Sequence, residues 1–103
     1  MDTVIKLIRT EYHQNDLAVD SPVETERDVL CRVRSVSRSD FYSAGQFGLS
    51  LDHVFIINPV NYAGEKILEY NGERYGIERT YQARQDEMEL YAGHKVGVAS
   101  GLN

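Results

Sequence analysis

Apolar and polar positions alternate with a period of two along several stretches of the chain, and each such stretch predicts a strand. Thr3 to Glu11 is rich in β-branched residues and predicts the first. Asp28 to Val36 alternates again, with Val29, Cys31 and Val33 on one side and Arg32 and Arg34 on the other. Leu51, His53, Phe55 and Ile57 alternate with Asp52, Val54 and Ile56 in a third strand that Pro59 ends, because proline has no N–H to give to a ladder. Lys66 to Tyr70 and Glu73 to Tyr81 flank Asn71-Gly72, the dipeptide that favours a type I′ hairpin turn. In the second arm Tyr75, Ile77, Arg79 and Tyr81 are expected to share a face, and Glu87 to Tyr91 supplies a last strand with Met88 and Leu90 inward.

Three segments break the alternation. Residues 12–27 carry Asn15, Asp16, Asp20, Ser21 and Pro22 with few large apolar side chains, which predicts a long loop or a hairpin tip. Residues 37–49 offer Ser37 or Ser39 as an N-cap, Asp40 for the first turn, and Gly45 or Gly48 as a stop, so a short helix is expected there. Residues 93–103 are small and glycine-rich and are expected to form a loosely held tail. Six short strands would leave exposed edges in a flat sheet. The predicted fold is therefore mainly all-β: one domain over residues 1–92, a small antiparallel β-barrel of about six strands with one short helix and two long protruding loops.

Composition narrows the function classes. The chain has 103 residues, enough for one modest core, and a net charge of −5, which disfavours ordinary binding to a phosphate backbone. Cys31 is the single cysteine, so no internal disulfide or paired-cysteine metal site is available. No apolar run approaches the roughly 20 residues of a membrane span. Lys6 and Arg9 interrupt the early apolar stretch, so a signal peptide is not expected at the start.

Candidate chemistry is sparse. His13, His53 and His94 lie on different segments without helical ligand spacing, so no metal site is expected, and His53 is expected as a partly buried, hydrogen-bonded side chain. Cys31 reads as a small buried hydrophobe. Glu87 and Glu89 share a strand face and are expected on a solvated surface rather than as an acid/base pair. Phosphate-loop, dinucleotide and nucleophile-elbow patterns are absent, and no cofactor is expected. Arg32, Arg34 and Arg38 form the one basic concentration and are candidates for surface pairs or for salt bridges to a neighbouring subunit. Asp40 to Phe47 places Phe41, Tyr42 and Phe47 on one short helix, more aromatic area than a single stripe against a small barrel hides with ease. Two readings stand there: an interface, or a plug over the barrel mouth.

The order of elements, with Val36-Ser-Arg-Ser-Asp-Phe-Tyr-Ser-Ala-Gly-Gln46 followed by a strand near His53 and then Tyr70-Asn-Gly-Glu-Arg-Tyr-Gly-Ile77, resembles the head-tail joining family of tailed bacteriophages, the head-closure, stopper or head completion proteins. Ser39 to Gln46 matches that family's polar, aromatic and Ala-Gly-Gln element, and Gly72 to Ile77 matches its later glycine, Arg, Tyr and Ile element. The resemblance covers roughly residues 3–92. Two departures stand out: Gly76 occupies a variable slot where it would mark a bulge or a close backbone approach, and residues 12–27 have little to match. The resemblance implies a non-enzymatic virion protein of the head-tail junction, made in the host bacterial cytoplasm. It would form a homo-oligomeric ring, a hexamer or a dodecamer, between a portal or adaptor protein and a tail terminator or tail tube protein. Double-stranded DNA would pass its lumen without sequence-specific binding, with no membrane partner. Ser39, Asp40, Phe41, Tyr42, Ala44, Gly45, Gln46 and Phe47 are then the expected subunit-interface or lumen residues. The alternative is a cellular barrel-type adaptor, also without catalytic activity, that binds a protein by strand addition at an open edge.

Overall fold

The computed structural model describes residues 2–14, 20–46 and 48–95. Strands β1 (Asp2–Gln14), β2 (Asp20–Arg34), β3 (Leu49–Ile57), β4 (Ile67–Tyr70), β5 (Glu73–Arg84) and β6 (Glu87–Lys95) pair antiparallel and close into a barrel in the order β1-β2-β3-β6-β5-β4. Helix α1 (Arg38–Gly45) lies between β2 and β3, and a single 3-10 turn (Pro59–Asn61) follows β3. The predicted fold class is the observed one.

Alternation explains the core. Ile5 and Leu7, Val29 and Cys31, Phe55 and Ile57, Leu68, Tyr75, and Leu90 and Ala92 bring apolar side chains from all six strands into one interior. Cys31 is buried there as expected, and burial, helped by Asp2, pushes its thiol up to about 11, which keeps it protonated and unreactive at neutral pH. At the β4–β5 turn Asn71 and Gly72 both take positive φ, 53° and 80°, as the type I′ geometry requires.

Two bulges overturn the expected faces. The β3–β6 register shifts between Leu51 and His53, so Leu51 leaves the inner row of Phe55 and Ile57 and joins Val54 and Tyr91 in a second cluster, packed with Val36 and Ala44. The β5–β6 register shifts between Ile77 and Arg79, so Arg79 lies across from Tyr91 instead of following Tyr75 and Ile77 inward. Gly76 sits just before that shift. A Cβ there would press only on the end of the Glu78 side chain, at 3.0 Å, with the Gly93 carbonyl oxygen at an ordinary 3.7 Å. Its cross-strand partner Gly93 is the constrained one, since a Cβ there would fall 1.9 Å from the Ser50 carbonyl oxygen. Gly93 to Lys95 thus belong to β6 and not to the expected tail, whose residues 96–103 lie outside the described residues.

Of the two readings for residues 12–27, the long loop is corrected and the hairpin is the one observed. Pairing between β1 and β2 continues without a break from Asp2↔Arg32 to Gln14↔Asp20, so these residues are the arms of a β-ribbon, with 15–19 outside the described residues. Backbone pairing does not need apolar side chains, which is why the segment's polar composition concealed it. The inner face of the ribbon is anchored at its base: Arg9 donates to the Ala63 carbonyl, and Arg27 donates to the Asn61 carbonyl at 2.7 Å and to Glu65 Oε2 at 2.7 Å. Glu65, 4% exposed, accepts also from the Ala63 N–H at 2.9 Å. Burial works to raise its carboxyl, but Arg27 and the backbone donors outweigh that and hold it below its ordinary value.

Candidate docking surface

An eight-residue helix is too short to hold itself in water, so α1 depends on its caps and its seat. Ser37 is the N-cap: its Oγ accepts from the Asp40 N–H at 3.1 Å and donates to the Asp40 carboxylate at 3.0 Å. Asp40 in turn accepts from Arg79 at 3.1 Å, and the Ser37 hydroxyl together with Arg79 lowers its carboxyl. The Arg79 guanidinium carbon lies 4.2 Å from the centroid of the Tyr91 ring. Tyr91 donates to Glu89 at 2.6 Å, and Arg34 lies 3.2 Å from the same carboxylate. Burial first, and then Glu89, raises the Tyr91 phenol. Arg32 pairs with Glu87 at 2.7 Å.

Of the two readings for the basic concentration, surface pairs are present within the chain: Arg32 and Arg34 bond Glu87 and Glu89, the two glutamates expected on a solvated face. A β-strand projects alternate residues to one side, so Arg32 and Arg34 of β2 reach across β3 to Glu87 and Glu89 of β6 and form a charged ladder on the outer wall. Arg38 is exposed and forms no ion pair among the described residues. Ala44 is the part of α1 that reaches the outer cluster. Phe41 and Tyr42 are 49% and 63% exposed, touching one another edge-on at 6.0 Å, and neither plugs the barrel. Ser39, Gly45 and Gln46 are exposed too, while Phe47 lies outside the described residues. A cleft of about 220 Å³ remains between α1 and the wall, lined by Asp40, Ser43, Ala44, Leu51 and Arg79. Gly48, with φ 73°, provides the left-handed turn that leads into β3.

Sequence spacing missed one cluster. His53 is partly buried as expected, and among the described residues it is held by ring contacts with Phe55, Tyr70 and Tyr75 at 5.6, 5.3 and 5.5 Å, with no hydrogen bond to its imidazole. His94 also contacts Tyr75, with ring centroids 5.0 Å apart and the rings tilted, and its Nδ1 lies 2.7 Å from the Asp52 carboxylate. The bulge at Asp52 and His53 produces this convergence, and a bulge leaves no compositional mark in a single strand. Among the described residues no three His, Cys, Asp or Glu side chains converge to hold a metal; the side chain of His13 lies outside them. Among the described residues no helix is long and apolar enough to cross a membrane.

Neither a scan of the chain against protein-family models nor a comparison with curated proteins gives a match.

Proposed function

We propose that the protein is a structural component of the neck of a tailed bacteriophage, a ring-forming stopper or head completion protein that closes the filled capsid beneath the portal and adaptor and presents a docking surface to the tail. The observation that carries this reading is the exposure of Phe41 and Tyr42 on a helix anchored through Asp40 and Ala44. Two large aromatic rings turned to water beside a small cleft are the composition of an interface centre. The same segment carries the resemblance in Ser39 to Gln46, and a heterologous contact through it, repeated about an axis, closes a ring.

The role is architectural and not catalytic. The protonated Cys31 thiol is no nucleophile, and Glu87 and Glu89 are engaged by Arg32 and Arg34. An acidic chain lining the lumen would let DNA pass without the counterion release that holds DNA to basic channels. The test is genetic. Phage lacking the protein, or carrying Phe41→Asp, should accumulate DNA-filled heads that leak or lack tails. Normal infectious particles from both would refute the proposal.

A further inference from the structure

β1 covers one edge of β2 from Asp20 to Arg32, whereas β3 covers the other edge at Arg32, Val33 and Arg34 alone. Among the described residues no turn, loop or cap hydrogen bond from the backbone reaches positions 21–31. Residues 21–28 are all exposed. Such an edge is a row of unmade donors and acceptors, the template on which a further strand adds. Where β2 and β3 part, a cleft of about 320 Å³ opens beside Leu30, Arg32, Ile56, Asn58 and Glu87. Leu30 is 60% exposed at its rim.

The charge on this edge selects an occupant. Residues 9–28 hold six carboxylates against two arginines, a net −4 of the chain's −5. Both arginines, Arg9 and Arg27, turn to the 61–65 segment. Alternation sets Glu24, Glu26, Asp28 and Leu30 along the other face of β2. There Lys6 lies 3.3 Å from Asp28 and 3.9 Å from Glu26, and Arg74 lies 2.9 Å from Glu24 and 4.0 Å from Glu69. Four carboxylates share two cations, so the stripe stays acidic. A second copy offers no match, because its Arg32 and Arg34 already bond Glu87 and Glu89 and its net charge repels.

We infer that the free edge of β2 receives a strand from a different, basic protein. That strand runs antiparallel to β2, with an apolar side chain opposite Leu30 and Lys or Arg opposite Asp28, Glu26 and Glu24. Read from its N-terminus it has an apolar residue followed by three basic residues at every second position. Backbone bonds supply the affinity and the alternating cations supply register and salt dependence. The inference holds for a viral neck and for a cellular adaptor alike, so its test is independent of the virion reading.

The probe is a fluorescein-labelled Val-Thr-Lys-Thr-Lys-Thr-Lys peptide, capped at its C-terminus, titrated with the full-length protein at low salt and followed by anisotropy. Binding should weaken at least roughly tenfold for an isomer with its lysines contiguous, for a peptide N-methylated at alternate amides, and for the E24Q/E26Q/D28N protein. Those three side chains sit in exposed ion pairs, so the variant should keep its near-ultraviolet dichroism. Equal binding of the isomer and the N-methylated peptide would reduce the effect to general charge attraction and overturn the inference. A dimer in analytical ultracentrifugation that E24Q/E26Q/D28N dissolves would overturn the assignment to a different protein.

Discussion

The same two strands behave differently at their two ends. Near the barrel, β1 and β2 bury Ile5, Leu7, Val29 and Cys31, and every second position is apolar. Farther out the pairing continues with the same register, yet residues 21–28 face water and the exposed Tyr12 and Val23 touch no interior. The difference separates what backbone hydrogen bonding can do from what burial does. Pairing extends a ribbon, but a two-stranded ribbon alone is marginal in water, so the outer half relies on the inner half and on its anchors at Glu65. The inner half holds the fold, and the outer half adds little to it.

The largest effect should come from the barrel wall. Gly93→Ala forces a methyl into the Ser50 carbonyl and should cost about 4 kcal/mol or more, seen as loss of cooperative melting. Gly76→Ala, in the cross-strand position, should change the melting temperature little because only the Glu78 carboxylate must move. Next in size, Leu7→Ala in the inner half should cost about 2–5 kcal/mol by denaturant titration. Val23→Ala in the outer half should stay within about 0.5 kcal/mol. Equal costs for Leu7 and Val23 would erase the distinction between the two halves.

Smaller again is the anchor between them. Arg27→Ala leaves the Glu65 carboxylate buried without its cation and should cost about 1–3 kcal/mol, at the lower end because Arg27 itself is nearly half exposed. The sign with pH follows from the lowered carboxyl. Its contribution is present above the ordinary value of 4.5 and is lost as pH falls through the native value. The gap between wild type and Arg27→Ala should therefore be widest above pH 4.5 and close on acidification. A gap that is constant with pH would show that Glu65 does not set the anchor.

Much of the barrel was legible in the chain, and for a physical reason. Alternation marks a half-buried strand wherever one face is apolar, so Val29, Cys31, Phe55, Leu90 and the Asn71-Gly72 turn could be placed from residue type alone. Three features escaped. The outer ribbon has no apolar face, so its turn residues allowed a hairpin tip but composition did not separate that from a long loop or show how far the pairing runs. The bulges at Asp52 and Glu78 reverse the face of everything beyond them, which moved Leu51 and Arg79 outward and brought His53 and His94 around Tyr75. Ion pairs depend on register across strands, so Arg32 and Arg34 could be seen as a basic stripe, but not as the partners of Glu87 and Glu89. In the candidate site the aromatic content of Phe41 and Tyr42 was evident, while its exposure required the helix to be seated through Ala44.

Imaging of intact particles at the vertex through which the genome leaves tests the docking role most directly. The expected result is a ring of these barrels there, with Phe41 and Tyr42 covered by the neighbouring copy and each β2 edge continued by a strand of an adjoining protein. Particles that are complete and infectious with no density for the barrel at that vertex would contradict it.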